Sequence, residues 1–256
     1  MLKILTFWIA FTTLFCISWT ACQAPTPISK LLTIEKKECF KRNILPENNV
    51  AHICDLNIAY PSVLEPYTPL KASVERFVGE FVASNSGLDV ACVAPDSALP
   101  IFTKVFRNAF HDNPNMSDWS VEIWTEILTN STKIASIRMD AYTNLGGAHP
   151  NKHIQIENFD PATGQKIPIN DLISDKNALL TLCEKKYHEV KKAAFDTGFT
   201  FTPEMPFKLP NQIGIAKDGV LFYYNPYEVA PYAVGPAEFT IPFLELDKIM
   251  NVGKYQ

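Results

Sequence analysis

Two neighbouring stretches of the chain alternate apolar and polar residues, and they constrain the fold more than any other feature. One covers residues 119–127 and the other covers 133–142. A period of two is typical of β-strands that have one buried face and one open face. The chain also contains 19 prolines against 10 glycines. Because proline interrupts helices, this composition disfavours a single long helical bundle.

Shorter patterns place the remaining elements around these two strands. Extended segments are predicted over 31–42, 51–60, 153–159, 167–173, 212–216, 220–224 and 237–241. Apolar residues at helical spacing predict helices over 70–82, 97–110, 177–195 (the longest) and 243–250. Turns are predicted at 217–219 and at 160–164, where Gly164 can take a positive φ. Tight hairpins interrupted by a few helices predict an α+β fold with antiparallel sheet, in which two sequence halves form one body.

The first 21 residues have the pattern of a bacterial lipoprotein signal peptide. A positive residue precedes an apolar run over 4–19, and a small residue then precedes Cys22. This pattern predicts a palmitate-type lipid on Cys22 and export to a bacterial membrane, facing the periplasm or the cell surface. Two alternatives stay open. Ordinary cleavage would leave Pro25 as the first mature residue, and an uncleaved membrane anchor would need a longer apolar run.

The other cysteines and the charge narrow the chemistry. An exported chain can oxidise its cysteines, and the neighbouring predicted strands favour a bond between Cys39 and Cys54 over other pairings. The cysteines lack metal-ligand spacing, so neither a metal site nor a cofactor is predicted. The formal net charge is −4, which gives no sign of nucleic-acid binding.

Two ordered motifs resemble a family of extracytoplasmic domains. Residues 142–151 read Tyr-Thr-Asn-Leu-Gly-Gly-Ala-His-Pro-Asn. They resemble the Tyr-x-x-x-Gly-Gly-Ala-His segment shared by the lysozyme-sensing ectodomain of RsiV-type anti-sigma factors and the N-terminal region of PdaC-type peptidoglycan deacetylases. Residues 222–236 and 239–246 resemble the closing segment of that family. Residues 60–61 and 160–172 fit its opening and the start of its second half.

The resemblance implies a domain organisation and a role. It implies a PdaC-type N-terminal half at 33–150 and an RsiV-type C-terminal half at 151–250, and the short proline-containing stretch before them predicts a tether at 22–32. The resemblance covers the extracytoplasmic module alone, so neither anti-sigma nor deacetylase activity is expected. The expected function is therefore that of a non-catalytic envelope lipoprotein, which binds a lysozyme-like envelope protein or a peptidoglycan-type glycan.

Six residues of the two motifs are the candidate site. They are Gly146, Gly147, His149, Asn151, Tyr227 and Tyr232. The last four are expected to lie near one another and either lock the two halves together or line a binding groove. The two glycines are predicted to form a turn with positive φ. The alternative function is a cryptic hydrolase of cell-wall polysaccharide that uses His149 as its base. It would need a concave pocket with a carboxylate within hydrogen-bond reach of His149.

Overall fold

The computed structural model describes residues 32–37, 53–64, 66–88, 95–113 and 115–255, and it confirms the α+β class. Two β-sheets form the centre of the molecule. The first sheet has five strands in the order β1-β2-β3-β4-β5. They are β1 (Leu32–Lys37), β2 (Cys54–Val63), β3 (Trp119–Asn130), β4 (Ala135–Asn144) and β5 (Asn151–Phe159). The two alternating stretches, 119–127 and 133–142, therefore correspond to the adjacent strands β3 and β4.

One strand pair departs from the expected antiparallel arrangement. Strands β2 and β3 run parallel, while every other pair among the described strands is antiparallel. The chain between them forms α1 (Thr68–Asn85) and α2 (Pro95–Asp112). A parallel pair needs a long crossover, and the two predicted helices provide it.

The second sheet has three strands and confirms the predicted hairpin. Its order is β6 (Gln212–Ile215), β7 (Gly219–Tyr224) and β8 (Ala237–Pro242). The hairpin between β6 and β7 closes with the Ala216 N–H, which donates to the Gly219 carbonyl at 2.9 Å. This sheet packs against α3 (Lys176–Val190), which is followed by α4 (Lys192–Asp196) and α5 (Phe243–Leu246).

Three predicted elements are different in the structure. The helix over 177–195 is interrupted at Lys191, where the ammonium group donates to the Val234 carbonyl at 2.8 Å, and α3 is shorter than α1. The extended segment over 167–173 contains a 3₁₀ turn at Ile169–Leu172. Pro168 begins this turn and has no N–H to donate to a strand ladder. The last helix, α5, ends at Leu246 rather than at residue 250.

The elements stack in four layers with three apolar contact zones. Helices α1 and α2 cover one face of the first sheet, and the large side chains of this core include Phe77, Phe81, Phe102 and Phe106. Helix α3 covers the outer face of the second sheet through Leu179, Cys183 and Tyr187. The two sheets meet through Ile154, Ile156, Leu221 and Tyr223. No helix in the described part of the chain is both long and apolar enough to span a bilayer.

Buried polar side chains also join the two sheets. The Asn158 carboxamide accepts from the Ser136 hydroxyl at 2.8 Å and from the Ile215 N–H at 3.1 Å. It also donates to the Ile213 carbonyl at 2.8 Å. Because a buried carboxamide is costly unless it is bonded, these contacts fix how the sheets pack. They make one body of the chain, as the sequence predicts.

The boundary between the sheets is not the boundary between the sequence halves. Strand β5 follows residue 150, where the first half was expected to end, yet it pairs with β4 along its full length. The first sheet therefore continues to Phe159. The chain reaches the second sheet only after the turn at Gly164, whose φ of 69° confirms the predicted positive value.

Some predictions fall outside the described residues. The signal peptide, most of the tether, Cys22 and Cys39 are among them. Cys54 and Cys183 are buried and do not form a disulfide with each other, the two being the cysteines that the structure describes, and burial raises the pKa of each to about 12. The Cys39–Cys54 bond stays a prediction.

Candidate functional site

The segment after β7 contains an unusual backbone conformation at Tyr227. Its φ is 69°, and Tyr227 is the one non-glycine residue with positive φ in the described part of the chain. The Glu228 N–H donates to the Asn225 carbonyl at 3.2 Å and closes a four-residue turn. Proline in the second position and a positive φ in the third are the features of a type II turn, which normally has glycine where Tyr227 stands. An L-residue pays about 1–2 kcal/mol for this conformation.

Side chains on both sides hold this turn in place. The Asn225 carboxamide accepts from the Ile154 N–H and donates to the Ile154 carbonyl, both at 2.9 Å. The Glu228 carboxylate accepts from the Asn225 N–H at 2.9 Å and from the Asn211 N–H at 2.5 Å. Burial raises the pKa of Glu228, and the two N–H donors oppose this shift. Tyr227 is thus fixed between two anchored neighbours.

Three rings of the predicted site lie against one another. The His149 ring stacks on Tyr232, with centroids 4.5 Å apart, and the Tyr227 ring is 5.8 Å from Tyr232. The Pro150 carbonyl accepts a hydrogen bond from His149 Nδ1 at 2.9 Å and a longer one from the Tyr232 hydroxyl at 3.4 Å. The structure therefore brings His149, Tyr227 and Tyr232 together and links the loop after β4 to the segment after β7.

The other three residues of the predicted site are Gly146, Gly147 and Asn151, and each has a different environment. Gly146 has a φ of 78°, and a Cβ there would lie 3.3 Å from Ser117 Oγ and from Trp119 Nε1. Gly147 has no positive φ, and a Cβ at that position would meet open space. The positive φ predicted for both glycines thus occurs at Gly146 only. Asn151 is exposed at the start of β5, where its backbone pairs with Thr143.

Further exposed side chains lie on the open face of the first sheet. Lys152 on β5 pairs with Tyr142 on β4, so the two side chains share a face. The Lys152 ammonium lies 6.0 Å from the ring centre of Trp124 on β3, within the range of a cation–π contact. On the same face of β5, Ile154 is covered by the second sheet. We call the exposed side chains of this face, together with the three rings described above, the aromatic surface. It consists of Trp124, Tyr142, His149, Lys152, Tyr227 and Tyr232.

The aromatic surface has a distinctive composition. Its large apolar side chains are 39–60% exposed. The three exposed large aliphatic side chains in the described part of the chain, Leu64, Val190 and Leu244, belong to other elements. The surface therefore offers ring faces with charged neighbours rather than an aliphatic patch.

The arrangement around His149 does not supply a visible acid–base pair. Among the described residues, no carboxylate lies within ion-pairing distance of His149. The His149 ring contacts the Tyr232 ring and the Pro150 carbonyl. Two cavities, of about 690 and 430 Å³, are lined by other residues. The pocket that the hydrolase alternative requires is not formed by either of them.

Several residues of this site were not predicted from the sequence. For two of them, Trp124 and Asn225, the local sequence pattern does indicate their position. Trp124 lies on the polar side of an alternating strand, between Glu122 and Glu126, and an aromatic residue there faces away from the core. The pair Asn225-Pro226 is typical of a turn start. By contrast, Lys152 gave no signal, because only the β4–β5 register places it beside Tyr142.

The aromatic segment 222–236 is divided between the core and the surface. About half of its rings were expected to face inward. Phe222, Tyr223 and Tyr224 are all buried, because β7 is central and covered on both faces. Only Tyr227 and Tyr232, which follow the strand, reach the surface.

The fold is shared with solved bacterial proteins. The structure is similar to that of a DUF3298 family member from Bacteroides fragilis NCTC 9343, with a TM-score of 0.68 and 21% identity over 89% of this chain and 97% of the other. It is also similar to a DUF3298 family protein from Pseudomonas aeruginosa PAO1, with a TM-score of 0.61 and 19% identity over 87% of this chain and 95% of the other. Residues 170–243 match a family described as protein of unknown function (DUF3298). No curated protein matches the chain.

Proposed function

We propose that this chain is a non-catalytic binding module of the bacterial cell envelope, which takes a peptidoglycan-type glycan on its aromatic surface. The observation that carries the proposal is Tyr227. Tyr227 is 60% exposed and contributes little to a core, yet its backbone has a conformation in which glycine would be favoured. Strain of this kind is typical of functional sites.

The anchoring of the turn supports recognition of a ligand. Asn225 and Glu228 hold the backbone on both sides of Tyr227, and Tyr232 is held by its stack on His149. Rings that are already fixed lose less conformational entropy when a ligand binds. An exposed, preorganised pair of tyrosines is therefore suited to a binding surface.

The chemistry of the surface favours a glycan over a protein. Sugar rings pack their C–H faces on aromatic rings and need hydrogen-bonding groups nearby, and Glu122 and Lys152 are the cross-strand neighbours of Tyr142. The centre of a protein–protein interface is more apolar and depleted in charged residues. The exposed aliphatic residues that would build such a centre are on other elements.

The family resemblance of the sequence motifs also supports a binding role for this surface. The two segments that resemble RsiV-type and PdaC-type proteins, 142–151 and 222–236, supply most of the aromatic surface. We propose that the relation to those envelope proteins is real. A shared binding surface would explain why these two segments are the recognisable ones.

Binding to the cell wall is tested with purified, insoluble peptidoglycan. The full-length protein and a Y227A/Y232A variant are each incubated with it, and the bound fraction is measured. Loss of two stacking rings is expected to weaken retention by about tenfold or more. Leu244→Ala removes an exposed side chain 90% accessible to solvent on α5 and is the control that should bind like the wild type.

The same assay separates the alternatives. If the wild type is retained on immobilised lysozyme but not on peptidoglycan, the partner is a protein and the glycan proposal is wrong. If soluble sugar fragments are released from the peptidoglycan, the hydrolase alternative is favoured. Equal retention of the wild type and Y227A/Y232A would show that the aromatic surface does not bind the glycan.

Attachment to the membrane is a separate proposal that rests on the sequence pattern at Cys22. Cells producing the wild type or Cys22→Ala are labelled with a fatty-acid probe. Incorporation is expected in the wild type only, and equal labelling of both proteins contradicts lipidation at this residue.

A further inference from the structure

A cavity of about 690 Å³ lies away from the aromatic surface. It is bounded by the second half of β5, by residues 166–170 and by residues 207–213. None of the six residues of the aromatic surface lines it. Its volume is in the range of small-molecule sites. Because its lining residues differ from those of the aromatic surface, the cavity is independent of the proposed glycan surface.

The charged groups of the cavity are mostly positive. Three lysines line it, and the one lining carboxylate, Glu157, is paired with Lys166 at 2.7 Å. The ammonium groups of Lys176 and Lys208 form no ion pair or hydrogen bond with any residue in the described ranges. Lys208 is close enough to Glu228 to lower the pKa of that carboxyl, but the two do not form an ion pair. Two cations are thus available to a ligand in a chain whose net charge is −4.

The remaining lining residues combine hydrogen-bonding groups with apolar walls. Asn170 and Asn211 also line the cavity, and neither side-chain carboxamide forms a hydrogen bond with a residue in the described ranges. Ile169, Phe207 and Leu209 supply apolar surface. A few polar groups set against apolar walls are typical of sites that orient a small ligand.

We infer that this cavity binds a small anionic ligand, about the size of one or two sugar rings, through a carboxylate or phosphate group. Lys176 and Lys208 form charge-assisted hydrogen bonds to the anionic oxygens, which are stronger than neutral ones. The carboxamides bind neutral polar groups of the ligand, and the apolar wall packs against its ring. The inference does not depend on glycan binding at the aromatic surface.

Three related sugars serve as probes because they share one ring and differ in charge. N-acetylglucosamine is neutral, N-acetylmuramic acid adds a carboxylate, and N-acetylglucosamine 6-phosphate adds a phosphate. Binding of each to the full-length protein is measured by calorimetry at low and at moderate salt. At least one anionic sugar is expected to bind about tenfold or more tightly than the neutral sugar, and its affinity should fall as salt increases. Comparison of the two anionic sugars tells a carboxylate site from a phosphate site.

Charge-matched variants locate the binding. The K176Q/K208Q variant removes the two available cations and is expected to lose about tenfold or more of the affinity for the anionic sugar. The K185Q/K217Q variant removes two exposed lysines that do not line the cavity, and it should bind like the wild type. Thermal melting of both variants confirms that they are folded.

Three results would overturn the inference. One is that neither anionic sugar binds more tightly than N-acetylglucosamine. Another is that K176Q/K208Q binds the anionic sugar as tightly as the wild type. The third is that Y227A/Y232A, rather than K176Q/K208Q, loses this binding, which would place the anion at the aromatic surface.

Discussion

Asn225 pairs its side-chain carboxamide with the backbone of Ile154 in the way that a neighbouring strand would. It accepts from the Ile154 N–H and donates to the Ile154 carbonyl, both at 2.9 Å. Two residues further along β5, the Gln212 side chain accepts from the Ile156 N–H at 2.8 Å. Because an unpaired strand edge can template association with another chain, these side chains protect the outer edge of the first sheet.

Loss of the Asn225 carboxamide should destabilise the protein. Asn225→Ala leaves both backbone groups of Ile154 without their partners, and we expect a cost of about 2–3 kcal/mol. The free energy of unfolding is measured in urea. Asn151→Ala, an exposed asparagine at the start of the same strand, is the matched control and should change it by less than about 0.5 kcal/mol. Equal stability of the two variants would show that the Asn225 contacts contribute nothing.

The two adjacent glycines of the β4–β5 loop should respond differently to alanine. Gly146→Ala places a Cβ on a residue with a φ of 78°, so we expect a loss of about 1–3 kcal/mol. Gly147→Ala adds a Cβ into open space without a positive φ and should be close to neutral. Thermal or urea unfolding of both variants checks this order, and the reverse order would contradict the backbone described for the loop.

Tyr227 is expected to lower the stability of the protein through its backbone conformation and to strengthen binding through its ring. Tyr227→Ala and Tyr227→Gly both remove the ring, but only the glycine variant relieves the left-handed conformation. We expect Tyr227→Gly to be more stable than Tyr227→Ala by about 1 kcal/mol, measured by urea unfolding. Both should bind peptidoglycan less well than the wild type. If the alanine variant is the more stable of the two, the turn is not strained at this residue.

Glu228 should give the stability a specific pH dependence. Burial raises its pKa in the folded protein above the ordinary value of 4.5, so the folded state binds the proton more tightly than the unfolded state. The stability contributed by this group is therefore fully present below pH 4.5 and is lost as the pH rises through the folded pKa.

The variant Glu228→Gln isolates this effect. Glutamine has one acceptor oxygen for the N–H groups of Asn211 and Asn225, so we expect a loss of about 1–2 kcal/mol. Because the variant does not titrate at residue 228, its stability deficit should be largest near pH 4 and should shrink toward pH 7. Urea unfolding at several pH values measures this deficit, and one that grows with pH would contradict the raised pKa.

The motifs of the candidate site could be predicted from the sequence, but the contacts between them could not. The Gly-Gly-Ala-His loop and the proline-framed tyrosines could be singled out from the chain alone, since glycine, proline and aromatic residues have strong local preferences. The contact between His149 and Tyr232 follows from packing between residues 83 positions apart in sequence. It required the register of β4 with β5 and the seating of the second sheet on Ile154.

The sequence by itself determined most of the local structure of this protein. Alternation gave β3 and β4, helical spacing gave α1 and α2, and the Lys-Asp-Gly turn gave the hairpin of β6 and β7, because each of these patterns acts over neighbouring residues. Only the tertiary structure decided that β2 and β3 run parallel, that β5 belongs to the first sheet, and that Tyr227 and Tyr232 remain exposed while Tyr223 is buried. Those outcomes depend on which surfaces cover one another. That choice depends on the free energy of packing whole layers, which a local pattern does not contain.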